Sequence, residues 1–287
     1  MRKRIRLSLL IVFSGVLLLG TFFYIQNNGI VTTEMVISSE KIPSDFENYK
    51  IVQLSDLHSK SFGKNQRQLV DKVEKLNPDI IVFTGDLVDA NRYDEDISLL
   101  LMQELVKLAP VYFVTGNHEW WSGHFDTLEE KLQETGVHVL RNSTVSILSG
   151  EDSILLTGID DPAYPASSQE SYAEQSRIEE NILSSLDGSE KGHFHILLSH
   201  RPEMLSLYSQ YDFHLVFSGH AHGGQVRIPF VGGLIAPNQG FLPKYTSGRH
   251  KVKDTVMIVN RGLGNSVIPL RIFNQPEIVS VTLSSNS

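Results

Sequence analysis

Apolar positions fall into two patterns along this chain. Residues 7–25 form one long uncharged run directly behind Arg2, Lys3, Arg4 and Arg6, close to the roughly 20 residues that cross a bilayer as a helix. After residue 50 the apolar positions come in short blocks instead. Residues 51–54, 80–83 and 111–114 are blocks of strand length, and residues 67–76 and 97–108 between them are apolar at helical spacing. Leu69, Val70, Val73 and Leu76 share one helical face, and Pro78 and Pro110 close the two helices. Strand and helix alternating through short links predict right-handed crossovers and a parallel sheet.

Past Trp120-Trp121-Ser122-Gly123 the pattern changes. A helix is expected over 125–134 with Gly136 as its stop. Short strands at 137–140, 144–148 and 154–157, separated by Asn-, Ser- and Gly-rich turns, read as antiparallel. A helix at 178–186 and strands at 195–198, 215–217, 226–230, 255–259 and 278–283 complete the pattern, with a Gly- and Pro-rich loop at 232–248. Residues 160–176 have no period and read as a surface excursion placed to act as a substrate lid. The expected organisation is a basic segment and anchor at 1–25, a polar connector at 26–49 whose alternation at 34–37 suits an edge strand, and one globular domain at 50–287.

The first run reads as an uncleaved transmembrane anchor. A signal peptide has an apolar region of about 7–15 residues ending in small residues, whereas this run is longer and ends in Thr21-Phe22-Phe23-Tyr24. The positive-inside rule puts the basic tip in the cytoplasm and the domain outside it, a single-pass protein of the cell membrane. Formal net charge is −8 despite that basic tip. Such an acidic body argues against nucleic acid as a partner. The absence of cysteine excludes disulfides, zinc–thiolate sites and a cysteine nucleophile.

Chemistry is concentrated where the apolar blocks end. These ends read Asp56-x-His58, Gly85-Asp86, Gly116-Asn117-His118-Glu119, His200 and Gly219-His220-x-His222. Any one of them alone is an ordinary turn or helix cap. Strand carboxyl ends converge on one rim of a sheet, and isolated buried polar groups there would be unfavourable unless they shared a ligand. Asp56, His58, Asp86, Asn117, His200, His220 and His222 offer nitrogen and oxygen without sulfur, which suits Mn²⁺, Fe²⁺ or Zn²⁺ and has too many imidazoles for Ca²⁺ or Mg²⁺. They exceed the needs of one ion. Two ions sharing a carboxylate fit, and a water held between such ions becomes hydroxide near neutral pH and attacks a clamped phosphoryl group. His118 is the spare imidazole, able to protonate a leaving oxygen or to stabilise charge on the phosphoryl oxygens.

This ordered series resembles the calcineurin-like metallophosphoesterase superfamily across about residues 50–222, with Glu119 where many members have Asp. The resemblance implies an α/β (α+β) sandwich of four layers, two packed mixed sheets flanked by helices. It implies that Asp56, His58 and His222 hold one metal, that Asn117, His200 and His220 hold the other, that Asp86 bridges them and that His118 is catalytic. Gly223-Gly224-Gln225-Val226-Arg227, Ala236-Pro237-Asn238-Gln239-Gly240 and Arg261-Gly262-Leu263-Gly264-Asn265-Ser266 look like a membrane-anchored bacterial subgroup. That subgroup is similar to UDP-2,3-diacylglucosamine hydrolases and to Gram-positive cell-wall-associated phosphoesterases. The lipid-substrate version acts on the cytoplasmic side, against the orientation read above, so its substrate is not carried over.

The expected function is thus an anchored dinuclear phosphoesterase acting on a phosphodiester or phosphomonoester, with an envelope lipid or a wall polymer as its source. The alternatives are a lipid-sugar pyrophosphatase and a non-catalytic metal- or wall-binding module on the same fold. Arg201, Arg227 and Arg261 are candidates for phosphate oxygens, or for pairing with a carboxylate. Trp120, Trp121 and Tyr164 are candidates for stacking on a sugar or base, or for the core.

Overall fold

The short apolar blocks form strands covered on both faces, which is why they read as continuous rather than alternating. The computed structural model of the chain describes residues 2–163, 171–187, 192–265 and 269–285. Its first element is α1 (Arg2–Asn28), followed after Gly29 and Ile30 by β1 (Val31–Ser38). The predicted alternation follows as β2 (Lys50–Leu54), α2 (Arg67–Glu74), β3 (Ile80–Thr84), α3 (Glu95–Leu105) and β4 (Val111–Val114). Next come α4 (Asn117–Trp121), α5 (Phe125–Thr135), β5 (His138–Val139), β6 (Ser143–Ser149), β7 (Asp152–Gly158), α6 (Ser171–Leu186), β8 (His195–Leu198), α7 (Leu205–Tyr208) and β9 (Leu215–Ser218). Two minimal hairpins, β10 (Arg227–Ile228) with β11 (Gly232–Gly233) and β12 (Ile235–Ala236) with β13 (Gly240–Phe241), precede β14 (Gly248–Val252), β15 (Thr255–Val259) and β16 (Glu277–Ser284).

The long strands make two six-stranded sheets, in the orders β1-β16-β2-β3-β4-β5 and β14-β15-β9-β8-β7-β6. β2 to β5 run parallel, as do β7, β8, β9 and β15. Antiparallel pairs, β16 on β2, β6 on β7 and β14 on β15, make both sheets mixed. Strand periodicity then sorts the side chains into layers. Ile51, Ile80 and Val82 share a core with Ile196, Leu198, Leu215 and Phe217 between the sheets. Val52, Leu54, Ile81 and Phe83 face Leu69, Val73, Leu101, Leu105 and Leu128 of α2, α3 and α5. Leu197, Val216 and Met257 face Ile178, Ile182 and Tyr208 of α6 and α7. The result is the four-layer helix–sheet–sheet–helix sandwich that the resemblance implied.

Polar side chains cross the layer between the sheets at the strand ends, Gln53 among them. Gln53 Nε2 donates to Thr84 Oγ1 at 3.0 Å and to Ser218 O, in the other sheet, at 2.9 Å. Asn260 Nδ2, beyond β15, donates to Gln53 O at 3.1 Å. These bonds join the two sheets at the strand ends where the chemistry-bearing residues lie.

Several elements differ from the sequence reading. The strand at 137–140 joins the first sheet in parallel, with Tyr112 paired to His138 and Phe113 to Val139. The reason is that α5 acts as a crossover, and a crossover returns a strand parallel to its predecessor. Asp160 and Asp161, placed in a surface excursion, are buried. Asp160 takes both oxygens to Arg141 Nε, and Asp161 pairs with Arg201. From Ser171 onward the supposed excursion is already α6; residues 164–170, the rest of the lid reading and Tyr164 with it, lie outside the described residues. β14 begins at Gly248, the last residue of the expected loop, and continues through 249–252, which the sequence reading left unassigned; its outward positions are Arg249 and Lys251, on a strand exposed on alternate residues. The connector does supply an edge strand, longer than expected, in β1 paired parallel to β16 along all of its length.

Replacing Gln53 by Leu keeps the volume but removes the inter-sheet bond to Ser218 O, which keeps only the donor Asn260 N, and takes the Gln53 donor from buried Thr84 Oγ1. We expect a loss of about 1–3 kcal/mol, read as an earlier urea midpoint at unchanged slope; an unshifted midpoint would remove the inter-sheet tie from the account of stability.

Candidate metal centre

β2, β3, β4, β8 and β9 end at one rim of the sandwich, and the residues singled out above leave from those ends. Asp56 and His58 follow β2, Asp86 follows β3, Asn117 and His118 open α4 after β4, His200 follows β8, and His220 and His222 follow β9. All eight are buried. The chain reaches this arrangement by sharp turning. Asp56, His58, Asp86, His220 and His222 sit at φ of 53°, 51°, 55°, 65° and 47°, in the left-handed region. Each such non-glycine residue is unfavourable by roughly 1–2 kcal/mol, so the surrounding contacts must hold it.

One of those contacts is Glu119. Its carboxylate accepts the N–H groups of Asp86 (2.8 Å), Leu87 (2.8 Å), Val88 (3.2 Å) and Gly116 (2.6 Å), binding the loop after β3 to the loop after β4. The two loops cross at glycines. A Cβ on Gly116 would lie 2.6 Å from Asp86 N, and one on Gly85 2.7 Å from Gly116 Cα, closer than real Cβ atoms come.

The side chains form two groups that share a carboxylate. Asp56, His58, Asp86 and His222 present nitrogen and oxygen atoms within 4.8 Å of one another, and so do Asp86, His200 and His220. In the first, His58 Nε2 is 3.0 Å from His222 Nε2 and 3.5 Å from Asp86 Oδ2, and His222 Nε2 is 3.3 Å from Asp56 Oδ1. In the second, His200 Nε2 is 3.2 Å from Asp86 Oδ2 and 3.2 Å from His220 Nδ1. Asn117 Oδ1 is buried with no hydrogen-bond partner among the described residues. Outer partners orient the imidazoles. His200 Nδ1 lies 2.7 Å from Thr84 O and must be its N–H, which leaves Nε2 a lone pair for the rim. His220 Nε2 lies 3.2 Å from Asn238 Oδ1 and 3.3 Å from Arg201 Nη1, which hold the ring with Nδ1 toward the rim.

His118 stands beside these groups. Its backbone N–H donates to Asp86 Oδ1 at 2.8 Å, and its Nδ1 accepts from Ala90 N at 3.0 Å, so the ring proton sits on Nε2. Its ring meets that of His58 edge-on at 4.5 Å.

Without a cation this cluster is electrostatically frustrated. Burial pushes the Asp56 carboxyl up to about 7, against the pull of His200. Burial drives His58 down to about 3, and His220 and His222 well below the ordinary imidazole range. Burial also opposes charge on Asp86 and His200, but their mutual attraction wins: Asp86 falls well below the usual carboxylate range and His200 rises to about 10. His58, His220 and His222 held neutral around an ionised Asp86, with His200 and Asp56 holding protons that a cation would displace, form a donor set that fits divalent cations.

The three arginines considered for phosphate all have protein partners, and Arg201 also lies 3.3 Å from His220 Nε2. Arg201 pairs through two nitrogens with Asp161, Arg261 pairs with Glu277, and Arg227 donates to Gly223 O. Trp120 is a core residue, packed on Phe125 at 4.8 Å with its Nε1 on Thr115 Oγ1. Trp121 is 61 % exposed beside His118. Sequence reasoning missed Asp89, a buried carboxylate 3.8 Å from His58 Nδ1 whose only signal is its place three residues after Asp86. It also missed Asn238 as the outer partner of His220, because eighteen residues of loop separate them in the chain.

Comparisons with known proteins bear on this geometry. The calcineurin-like phosphoesterase family model matches residues 49–224. The chain is 33 % identical to YkuE, an uncharacterized metallophosphoesterase of Bacillus subtilis, over 92 % of its own length and 89 % of that protein. A Campylobacter jejuni metallophosphoesterase is 30 % identical, matching 98 % of this chain and 72 % of the relative. A Danio rerio transmembrane protein with a metallophosphoesterase domain is 29 % identical over 87 % of this chain and 56 % of its own. Among solved structures, the phosphopantetheinyl hydrolase of Mycobacterium tuberculosis superposes with a TM-score of 0.51 at 13 % identity, over 76 % of this chain and 91 % of that one, a likeness of fold. Sequence, fold and buried Asp/His cluster agree, and the chain belongs to the calcineurin-like phosphoesterase family, metal-dependent hydrolases of phosphoric esters.

Proposed function

We propose that the chain is a dinuclear phosphoesterase, tethered to the cell membrane by α1, that hydrolyses a phosphodiester or phosphomonoester at the envelope. The observation that carries this reading is the position of Asp86 in both ligand groups, as one carboxylate between two ions requires. In this assignment Asp56, His58 and His222 hold one ion, Asn117, His200 and His220 hold the other, and Asp86 bridges them. Mn²⁺, Fe²⁺ and Zn²⁺ all suit the donors. When bound, such ions supply a nucleophile at neutral pH and polarise the phosphoryl oxygens.

The chain's own residues do the rest. His118 carries its proton on Nε2 and hydrogen-bonds through it to the charge developing on the phosphoryl and leaving oxygens, with Ala90 N holding the tautomer. Glu119 keeps Asp86 and His118 in fixed relation by closing both of their loops. The tether reading rests on α1, where an 18-residue window within Arg6–Asn28 has a mean hydropathy of 2.2 and none of that window is buried. The basic tip puts the domain outside the cytoplasm. The globular domain of residues 50–287 then borrows β1 from the connector as its edge.

Two experiments test the reading. With bis-p-nitrophenyl phosphate and p-nitrophenyl phosphate as substrates for the full chain in detergent, His118→Asn should keep both metals and lose about 10²–10⁴-fold in kcat. Asp86→Ala should lose metal and rate together. A His118→Asn enzyme as fast as the wild type would take His118 out of catalysis, and an Asp86→Ala protein that keeps both ions would refute the bridge. Second, chelation should lower Tm, and Mn²⁺ at about 100 times its Kd should restore roughly 2.7 kcal/mol. Asp86→Ala should respond less to either treatment, and a wild-type Tm indifferent to chelator would sink the dinuclear assignment.

A further inference from the structure

The end of α1 is fastened to the rim that carries the metal ligands. Asn27 Oδ1 accepts from Arg271 N at 2.9 Å, Lys60 Nζ donates to Asn27 O, and Asn274 N donates to Gln26 Oε1 at 3.1 Å. Phe22, near the end of the helix, meets Phe273 edge-on at 5.5 Å. Gly29 and Ile30 alone separate α1 from β1. Two residues reach about 7 Å, and the headgroup layer on one side of a bilayer is roughly 5–8 Å thick. A helix that spans the bilayer therefore brings the surface around its end into the headgroups.

That surface is apolar where a water-facing one would be polar. Val226 bridges to Ile272, next to Phe273, so the β10–β11 hairpin rises beside the end of α1. Its tip carries Ile228, Phe230 and Val231, all exposed, with the Phe230 ring wholly so. The neighbouring hairpin exposes Phe241 and, just beyond it, Leu242. Residues 226–247 contain Arg227 and Lys244 and no carboxylate, in a chain of net charge −8. Aromatic and aliphatic tips with a basic rim match the interface of an anionic bilayer.

We infer that the tips of the two hairpins dock into the bilayer that α1 crosses, giving the domain a second membrane contact and one fixed orientation. This inference rests on the reading of α1 as an anchor. Asn274 transmits the orientation to the site, since its Nδ2 donates to His222 O at 2.7 Å and to Gln225 O at 3.0 Å, at the root of the first hairpin. The rim then faces along the membrane surface rather than swinging on a tether.

The chain has no cysteine, so single nitroxide labels read depth without background. The full chain would be reconstituted in vesicles of equal phosphatidylcholine and phosphatidylglycerol, labelled in turn at Leu17→Cys, Phe230→Cys, Phe241→Cys and Glu151→Cys. Glu151 is exposed at the β6–β7 turn, at the strand ends remote from the rim. Hydrolysis of p-nitrophenyl phosphate by each labelled protein would verify its fold. Docking predicts that labels at 17, 230 and 241 collide severalfold more with oxygen than with a water-soluble nickel chelate, and that the label at 151 does the reverse. A label at 17 in the bilayer with labels at 230 and 241 in water overturns the docking and leaves the anchor standing. A label at 17 in water overturns the anchor, and the docking with it. Labels at 230 and 241 shielded from both reagents would mean that another protein surface, such as a second copy of the chain, covers the tips, which also overturns the proposal.

Discussion

The rim depends on a carboxylate that belongs to neither ligand group. Glu119 is fully buried and accepts four backbone N–H groups, three from the loop after β3 and one from the loop after β4. Burial and the neighbouring Asp86 push its carboxyl up to about 7, while the N–H donors favour the ionised form. Hydrogen bonds to an ionised group contribute about 1.5–3 kcal/mol each, enough together to offset the strained turn at Asp86. With these loops joined, Asp86, Asn117 and His118 form one rigid unit. The other ligands approach that unit from β2 in the same sheet and from β8 and β9 in the facing sheet.

A rim assembled from two sheets needs the sheets in register, and here the polar contacts between them lie close to the site. Gln53 links β2 to β3 and to Ser218 at the end of β9, just before His220. Thr84 O fixes the tautomer of His200 across the same gap. Orientation of the ligands and docking of the sheets are thus achieved by the same few groups. The frustrated charges follow from this geometry. Imidazoles and carboxylates brought together out of water shift one another's protonation in opposite directions, and divalent cations relieve both at once.

The loop between β15 and β16 connects this centre to α1. Arg271 is wholly buried with no carboxylate bonded to it among the described residues, and its guanidinium donates instead to Arg261 O, Gly264 O, Asn274 O and Asn265 Oδ1. Burial lowers it to about 10, still charged at neutral pH. It stiffens a loop that packs on Asp56 from one side and on Asn27 from the other. The apolar helix is therefore built into the domain, and whatever surface it is held in lies close to the metal-ligating rim.

Much of this was legible before any coordinates. The continuous apolar blocks of β2, β3, β4, β8 and β9 identified strands with two covered faces, and Asp and His at each of their ends identified a shared rim. Local residue order determined those features, because strand periodicity and the chemistry of metal donors need no distant context. The chain by itself also determined the long apolar helix behind four cations. Only the tertiary structure decided that 137–140 pairs in parallel, since that depends on α5 acting as a crossover. It alone decided that Asp160 and Asp161 are buried, since their partners Arg141 and Arg201 come from other elements. Asn238 opposite His220, and Glu119 beneath Asp86, belong to the same class: a hydrogen-bond partner is chosen by distance in space, and no spacing along the chain encodes it.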